Sequence, residues 1–191
     1  MNWKADMRQG PVHTVAATSH GIGQASEEDG QVTSELLHTL MQVDIFSSLA
    51  VDDLYEIASL GYFEELPADT ILGVTGSHGD VLYVILEGYI ELSVPTSSGY
   101  LGLGIVKGGG SFPLSALLGD GCLLSTGVAI GSVKTLILPC VKLLGYFARR
   151  PAVGARIYRK IAEILADRQG ALLRRLVDST LVACLDEWPS L

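Results

Sequence analysis

Short cysteine pairings, a membrane-length apolar run and any clustering of histidines are missing from this 191-residue chain. Its three cysteines, Cys122, Cys140 and Cys184, lie far apart, so neither a disulfide framework nor a zinc site with short ligand spacing fits. Reduced thiols packed as small hydrophobes are expected instead. His13, His20, His38 and His78 are equally scattered, and no metal or haem site is expected from them. Apolar residues make up 48% of the chain and mean hydropathy is +0.37, yet no apolar run reaches the roughly 18 residues of a membrane span. The longest candidate, 136–148, is interrupted by Pro139 and Lys142. No membrane partner is expected, and the surplus apolarity is assigned to a dense core, a pocket or a partner surface. The opening residues MNWKADMRQG contain acids and no apolar centre, unlike a secretory signal, so a cytoplasmic location is expected.

Also lacking are an ordered Ser/His/Asp set, a recognisable carboxylate pair and a phosphate-binding loop, which argues against an enzyme and against a bound cofactor. Charge is uneven. Residues 149–175 hold eight basic side chains and two acids, a net of +6 within a chain of net charge −8, which leaves −14 for the remainder. A basic helix face beside an acidic body accounts for this pattern better than a nucleic-acid surface does.

Residues 1–31 are rich in glycine, serine, threonine and acids without apolar period, and are expected to be disordered or loosely attached. A single domain over 32–177 and a tail over 178–191 complete the division. Leu36, Leu37, Leu40 and Met41 share one face of a short helix, and a second helix follows Ala50, with Asp52 and Asp53 in its first turn. From 62 to 139 the texture is β, with candidate strands at 62–66, 70–74, 81–87, 89–94, 101–106, 125–130 and 133–138. Strict alternation turns Ile90, Leu92 and Val94 inward and Tyr89, Glu91 and Ser93 outward. A short helix is expected over 142–149, and Pro151 is well placed to start a longer one reaching about Val177. Val153, Ile157, Ile161, Ile164, Leu165, Leu172 and Leu176 form its apolar stripe, with Arg156, Arg159, Lys160, Arg174 and Arg175 mostly off it. At about 40 Å such a helix outreaches a roll of this size. Either it breaks near Gly170 and folds back, or part of the stripe meets a second copy.

Three segments, in order, carry a resemblance: LPADTIL at 66–72, HGDVLYVILEGYIEL at 78–92 and SFPLSALLGD at 111–120. Together with the flanking helices they resemble the cyclic-nucleotide-binding domain of Crp/Fnr-type regulators over 36–176. The resemblance implies a mainly β fold with flanking helices, a double-stranded β-helix or jelly roll plus a long C-terminal helix. It also implies a ligand cassette in which a short helix N-terminus meets a cyclic phosphate, an Arg its charge and a Glu the ribose hydroxyl. Here Ser111 would cap, Phe112 matches the aromatic, Pro113 stands at a usual glycine and Leu114 at the Glu. The Arg position falls on Leu123, or on Leu124 if the loop shifts by one. Ser115, Ser125, Thr126 and amides over 114–116 remain as neutral donors, and Ala116 and Leu117 complete the cassette.

Losing a buried charge partner costs about 3 to 5 kcal/mol and losing the ribose acceptor about 1 to 3 more. Against a micromolar site near −8 kcal/mol, that leaves millimolar affinity or weaker. A non-enzymatic sensor module with a degenerate nucleotide site is therefore expected, acting through protein contacts or an apolar or weakly anionic ligand. The alternatives are a true cAMP- or cGMP-binding signalling protein, and a Crp/Fnr-like transcription regulator lacking its DNA-binding part. Few residues follow Val177, so direct DNA binding is not expected. A homodimer through Ile157, Ile161, Ile164, Leu165, Leu172 and Leu176 is, and a protein partner fits the same face.

Overall fold

The computed structural model describes residues 34–186, with side chains from 36 to 178. The expectation for 1–31 and the end of the tail, 187–191, lie outside the described residues. Helix α1 (Ser34–Met41), a 3-10 turn (Asp44–Phe46) and helix α2 (Val51–Ala58) precede six strands: β1 (Tyr62–Leu66), β2 (Ile71–Gly73), β3 (Val81–Thr96), β4 (Gly99–Lys107), β5 (Ser111–Phe112) and β6 (Thr126–Pro139). A second 3-10 turn (Leu114–Leu117) lies between β5 and β6, and helices α3 (Cys140–Arg149) and α4 (Pro151–Asp186) follow.

All strand pairs are antiparallel, in the path β1-β6-β3-β4, with β2 added to β6 and β5 to β3. Strands expected separately at 81–87 and 89–94 are one continuous strand, as are 125–130 and 133–138. The reason is a paired kink. Register shifts between Ile85 and Glu87 and again between Glu87 and Tyr89, across Gly88 with its φ of +95°, and Gly131 in the facing strand has φ +73°. A Cβ on Gly88 would lie 2.6 Å from the Ser132 carbonyl oxygen, so glycine is required for the ribbon to bend there. The bend folds one long hairpin into the two layers of a roll.

Because β3 and β6 are covered on both sides, their two faces feed two cores. Tyr83, Ile85, Ile90, Val133 and Ile137 point into the roll, while Leu82, Val84, Leu136 and Leu138 meet the helices. Ser93 departs from strict alternation. A register shift between Leu92 and Ser93 brings both inside, at 7% and 1% exposure, and the Ser93 hydroxyl finds no hydrogen-bond partner.

Helix α3 packs on α4 closely enough that a Cβ on Gly154 would sit 2.9 Å from Phe147 Cβ, and Phe147 meets Tyr158 edge to face at 5.6 Å. Asp53, buried in the first turn of α2, accepts from Tyr146 Oη at 3.1 Å and Arg150 Nη2 at 2.8 Å, which ties α2 to the α3–α4 junction. Helix α4 is 36 residues, about 54 Å, and passes Gly170 unbroken to Asp186, beyond the end expected near Val177. Cys140 is buried and Cys122 partly so, as the expectation of packed thiols requires; the Cys184 side chain lies outside the described ones.

Candidate functional site

The cassette runs from β5 through the 3-10 turn and a glycine-flanked loop back to β6. Its nine expected residues do not converge on one pocket. Phe112, 2% exposed, enters the roll core, where its ring fills the space a side chain at Gly127 would take: a Cβ there would lie 2.5 Å from Phe112 Cε1. Leu114, Ala116, Leu117 and Leu123 instead join the helix-side core, with Leu114 and Leu123 each 3% exposed. Leu123 is wedged between strand and loop. Added Cβ atoms on Gly73 and on Gly79 would each come within 2.6 Å of its methyl groups.

Backbone pairing fixes that wedge. Leu123 donates its N–H to the Ser77 carbonyl at 2.8 Å, and its own carbonyl accepts from Gly76 at 2.8 Å. Leu124, next in sequence, turns outward at 66% exposure and lines a cleft, whereas Leu123 points inward. Two of the neutral donors are committed within the chain. Ala116 N–H bonds the Pro113 carbonyl, and Thr126, 1% exposed, accepts from Thr75 N–H at 3.0 Å and pairs with the Thr75 hydroxyl at 3.1 Å. Ser111 does not cap the turn: it lies in β5 opposite Val84, its buried hydroxyl without a hydrogen bond. Ser115 and Ser125 are half-buried.

Two clefts border the cassette, one lined by its Ala116 and Leu117 and the other by its Leu124 and Ser125. One, of about 790 Å³, lies behind the turn and is bounded by His78, Asp80, Asp120, Val141, Leu144 and Tyr158. The other, about 430 Å³, runs between β4 and α4, with Leu103, Ile105, Leu124, Arg168, Leu172 and Arg175 among its walls. Neither arginine was singled out for this cleft by sequence. Arg175 was grouped off the apolar stripe, yet its Nη1 donates to the Leu103 carbonyl at 3.2 Å and so faces the roll. Their spacing was the available signal, because 161, 164, 168, 172 and 175 follow one face of a helix.

The stripe expected to pair two copies also divides. Ile157 and Ile161 are fully buried in the chain's own core and have no surface to offer a second copy. Ile164 and Leu165 pack partly on that core, and Leu172 lines the cleft at 38% exposure. Exposed apolar side chains sit farther along, at Leu173, Leu176 and Val177, 53%, 62% and 56% exposed.

No protein-family model and no curated protein matches the chain. Solved structures do. A cyclic nucleotide-binding domain from Methylobacillus flagellatus KT is similar with a TM-score of 0.67 at 18% identity, over 84% of this chain and 96% of that one. The N-terminal domain of a transcriptional regulator from Streptomyces coelicolor A3(2) is 26% identical with a TM-score of 0.58, over 70% of this chain and 94% of that one. The regulatory domain of Toxoplasma gondii PKA, solved with cAMP, has a TM-score of 0.55 at 22% identity; 58% of this chain spans 42% of that one. The fold is thus cyclic-nucleotide-binding-domain-like and resembles Crp/Fnr sensor domains, an architecture of regulatory modules rather than catalytic ones. Among the described residues no helix pair follows α4, no cluster of three or more His, Cys, Asp or Glu side chains is placed to hold a metal, and no helix is long and apolar enough to cross a membrane.

Proposed function

We propose that the protein is a non-enzymatic cytoplasmic sensor or scaffold module whose nucleotide position is closed by its own side chains and whose output passes through protein contacts of α4. The burial of Leu114 and Leu123, at 3% exposure each, carries this reading. The resemblance implies an acid at Leu114 and a guanidinium at Leu123 or Leu124, and with hydrocarbon at all three a cyclic phosphate there would lose its water without gaining a cation from the cassette. Thermal unfolding of the full chain with cAMP and with cGMP tests it. Ligand at a hundred times its Kd stabilises by about 2.7 kcal/mol. At about 2–4 °C per kcal/mol, a true micromolar binder raises Tm by roughly 5–11 °C at 100-fold excess. No shift is expected for either nucleotide, and a rise of that size overturns the reading.

Self-association through the distal half of α4 is the contact that the exposed Leu173, Leu176 and Val177 favour. These lie beyond the part of the helix used by the chain's own core, and a dimer would cover them. Light scattering should give a dimer for the native chain and a monomer for L173E/V177E, a pair at exposed positions. A native monomer at tens of micromolar removes the dimer reading.

A further inference from the structure

Behind the cassette turn, the cleft of about 790 Å³ joins apolar walls to carboxylates. Leu117 comes from the turn, Val141 and Leu144 from α3 and Tyr158 from α4, and the last three are 78%, 39% and 36% exposed. Asp80 and Asp120 line the same cleft, and no lysine or arginine does. Asp80 pairs with His78 at 3.1 Å and Asp120 accepts the Cys122 N–H at 3.0 Å, so among the described residues neither carboxylate meets a Lys or Arg cation. Apolar surface open to water beside two such carboxylates suits an occupant that is apolar and cationic at once.

Of the two ends of the chain beyond the described side chains, one has that chemistry. Residues 179–191 are apolar but carry Asp186 and Glu187 and no Lys or Arg, so the charge of the cleft repels them. Residues 1–10, MNWKADMRQG, combine Met1, Trp3 and Met7 with Lys4 and Arg8 against the single acid Asp6. We propose that the segment 1–10 docks in this cleft of its own chain, with Trp3 and Met7 against Leu117, Val141, Leu144 and Tyr158, and with Lys4 and Arg8 toward Asp80 and Asp120. Trp3 and Met7 are four apart, as are Lys4 and Arg8, so one turn of helix formed on docking presents the apolar pair and the basic pair on neighbouring faces. Residues 9–33 supply a tether of 25 residues, whose extended reach of about 85 Å exceeds the width of a domain of this size. Such a tether holds the segment at an effective concentration on the order of 1 mM, so an intrinsic Kd of about 0.1 mM leaves the cleft roughly 90% occupied. The contact is separate from both the nucleotide position and the distal face of α4.

The chain has two tryptophans, Trp3 and Trp188, so W188F leaves Trp3 as the reporter. Acrylamide quenching of Trp3 in full-length W188F is expected to be at least threefold weaker than in W188F/V141K, which adds a cation to the cleft at a position 78% exposed. K4D/R8D, which leaves the packed core untouched, should release Trp3 to the same extent, and D80K added to K4D/R8D should restore at least half of the protection. A hundredfold dilution should change nothing. Equal quenching in W188F and W188F/V141K, protection that survives K4D/R8D, or failure of D80K to restore it overturns the proposal. Protection lost on dilution also overturns it, because the segment would then occupy a second copy.

Discussion

Replacing Leu123 by alanine and, separately, Leu124 by alanine asks whether the cassette is a plug. The two leucines are adjacent and chemically identical, but Leu123 is 3% exposed in the helix-side core while Leu124 is 66% exposed. Deleting three buried carbons costs the lost transfer free energy and leaves a cavity, together about 2–5 kcal/mol. The exposed deletion is expected to stay within about 0.5 kcal/mol of the native chain. At about 2–4 °C per kcal/mol the first corresponds to roughly 4–20 °C in Tm and the second to about 2 °C or less. Denaturant titration by circular dichroism gives both values, provided the slope with denaturant is unchanged. A third variant makes the geometry explicit. The methyl of G73A would press on Leu123 Cδ1 at 2.6 Å, so G73A should be about 1 kcal/mol less costly in the L123A background than in the native one. Equal midpoints for L123A and L124A would refute the reasoning, because they would mean that residue 123 does not fill the site.

Two further predictions concern the junction of the roll with the helices. The Cys140 thiol is pushed up to about 12 from 9.0 by burial and by the Asp80 carboxylate, so the folded chain keeps a proton that the unfolded chain releases. Its contribution is whole below pH 9 and is lost as pH rises toward 12, at about 1.4 kcal/mol per pH unit; stability measured between pH 9 and 10 should fall on this slope, and C140A should flatten it. Asp53→Ala should cost about 1–3 kcal/mol by leaving the buried Tyr146 hydroxyl without its acceptor, with Asp53→Asn costing less; equal denaturant midpoints for D53A and the native chain would show that this clamp contributes nothing.

Periodicity exposed most of the fold because the chain states it twice. Residues 81–85 alternate between roll and helix side while all being apolar, which marks a strand covered on both faces, and the glycines that separate the runs mark the bends. What periodicity could not give was continuity. Gly88 reads as a turn between two strands, and only the facing kink at Gly131 shows that the ribbon bends without ending. Ser93 was misassigned for the same reason, since one inserted residue reverses every face after it. In the candidate site, the resemblance located the cassette but could not say whether its leucines line a cavity or fill one. That depends on Gly73, Gly79 and Gly127, which lie outside the 3-10 turn and leave room for Leu123 and Phe112. The arginines of α4 were overlooked because they were sorted by charge rather than by angle. At positions 168 and 175 a polar type occupies an inward address, and that mismatch is the feature of the helix that packing alone does not explain.

Helix α4 makes three different contacts along one uninterrupted rod, and their order limits how the module can signal. Val153, Ile157 and Ile161 anchor it in the core, Arg168, Leu172 and Arg175 run over the cleft, and Leu173, Leu176 and Val177 face outward. The anchor is buried and the distal part is not, so the distal half is held to the roll by fewer buried contacts than the proximal half. A hydrogen bond from Arg175 to Leu103, an exposed contact of modest strength, joins the distal half to β4. A ligand touching both β4 and α4 exists as such only in the closed arrangement, so its whole affinity for that arrangement is available to bias the equilibrium. A ligand confined to the roll would shift nothing on α4, since equal affinity for both positions leaves their ratio unchanged. For the proposed sensor, a ligand that couples the roll to α4 must therefore touch both.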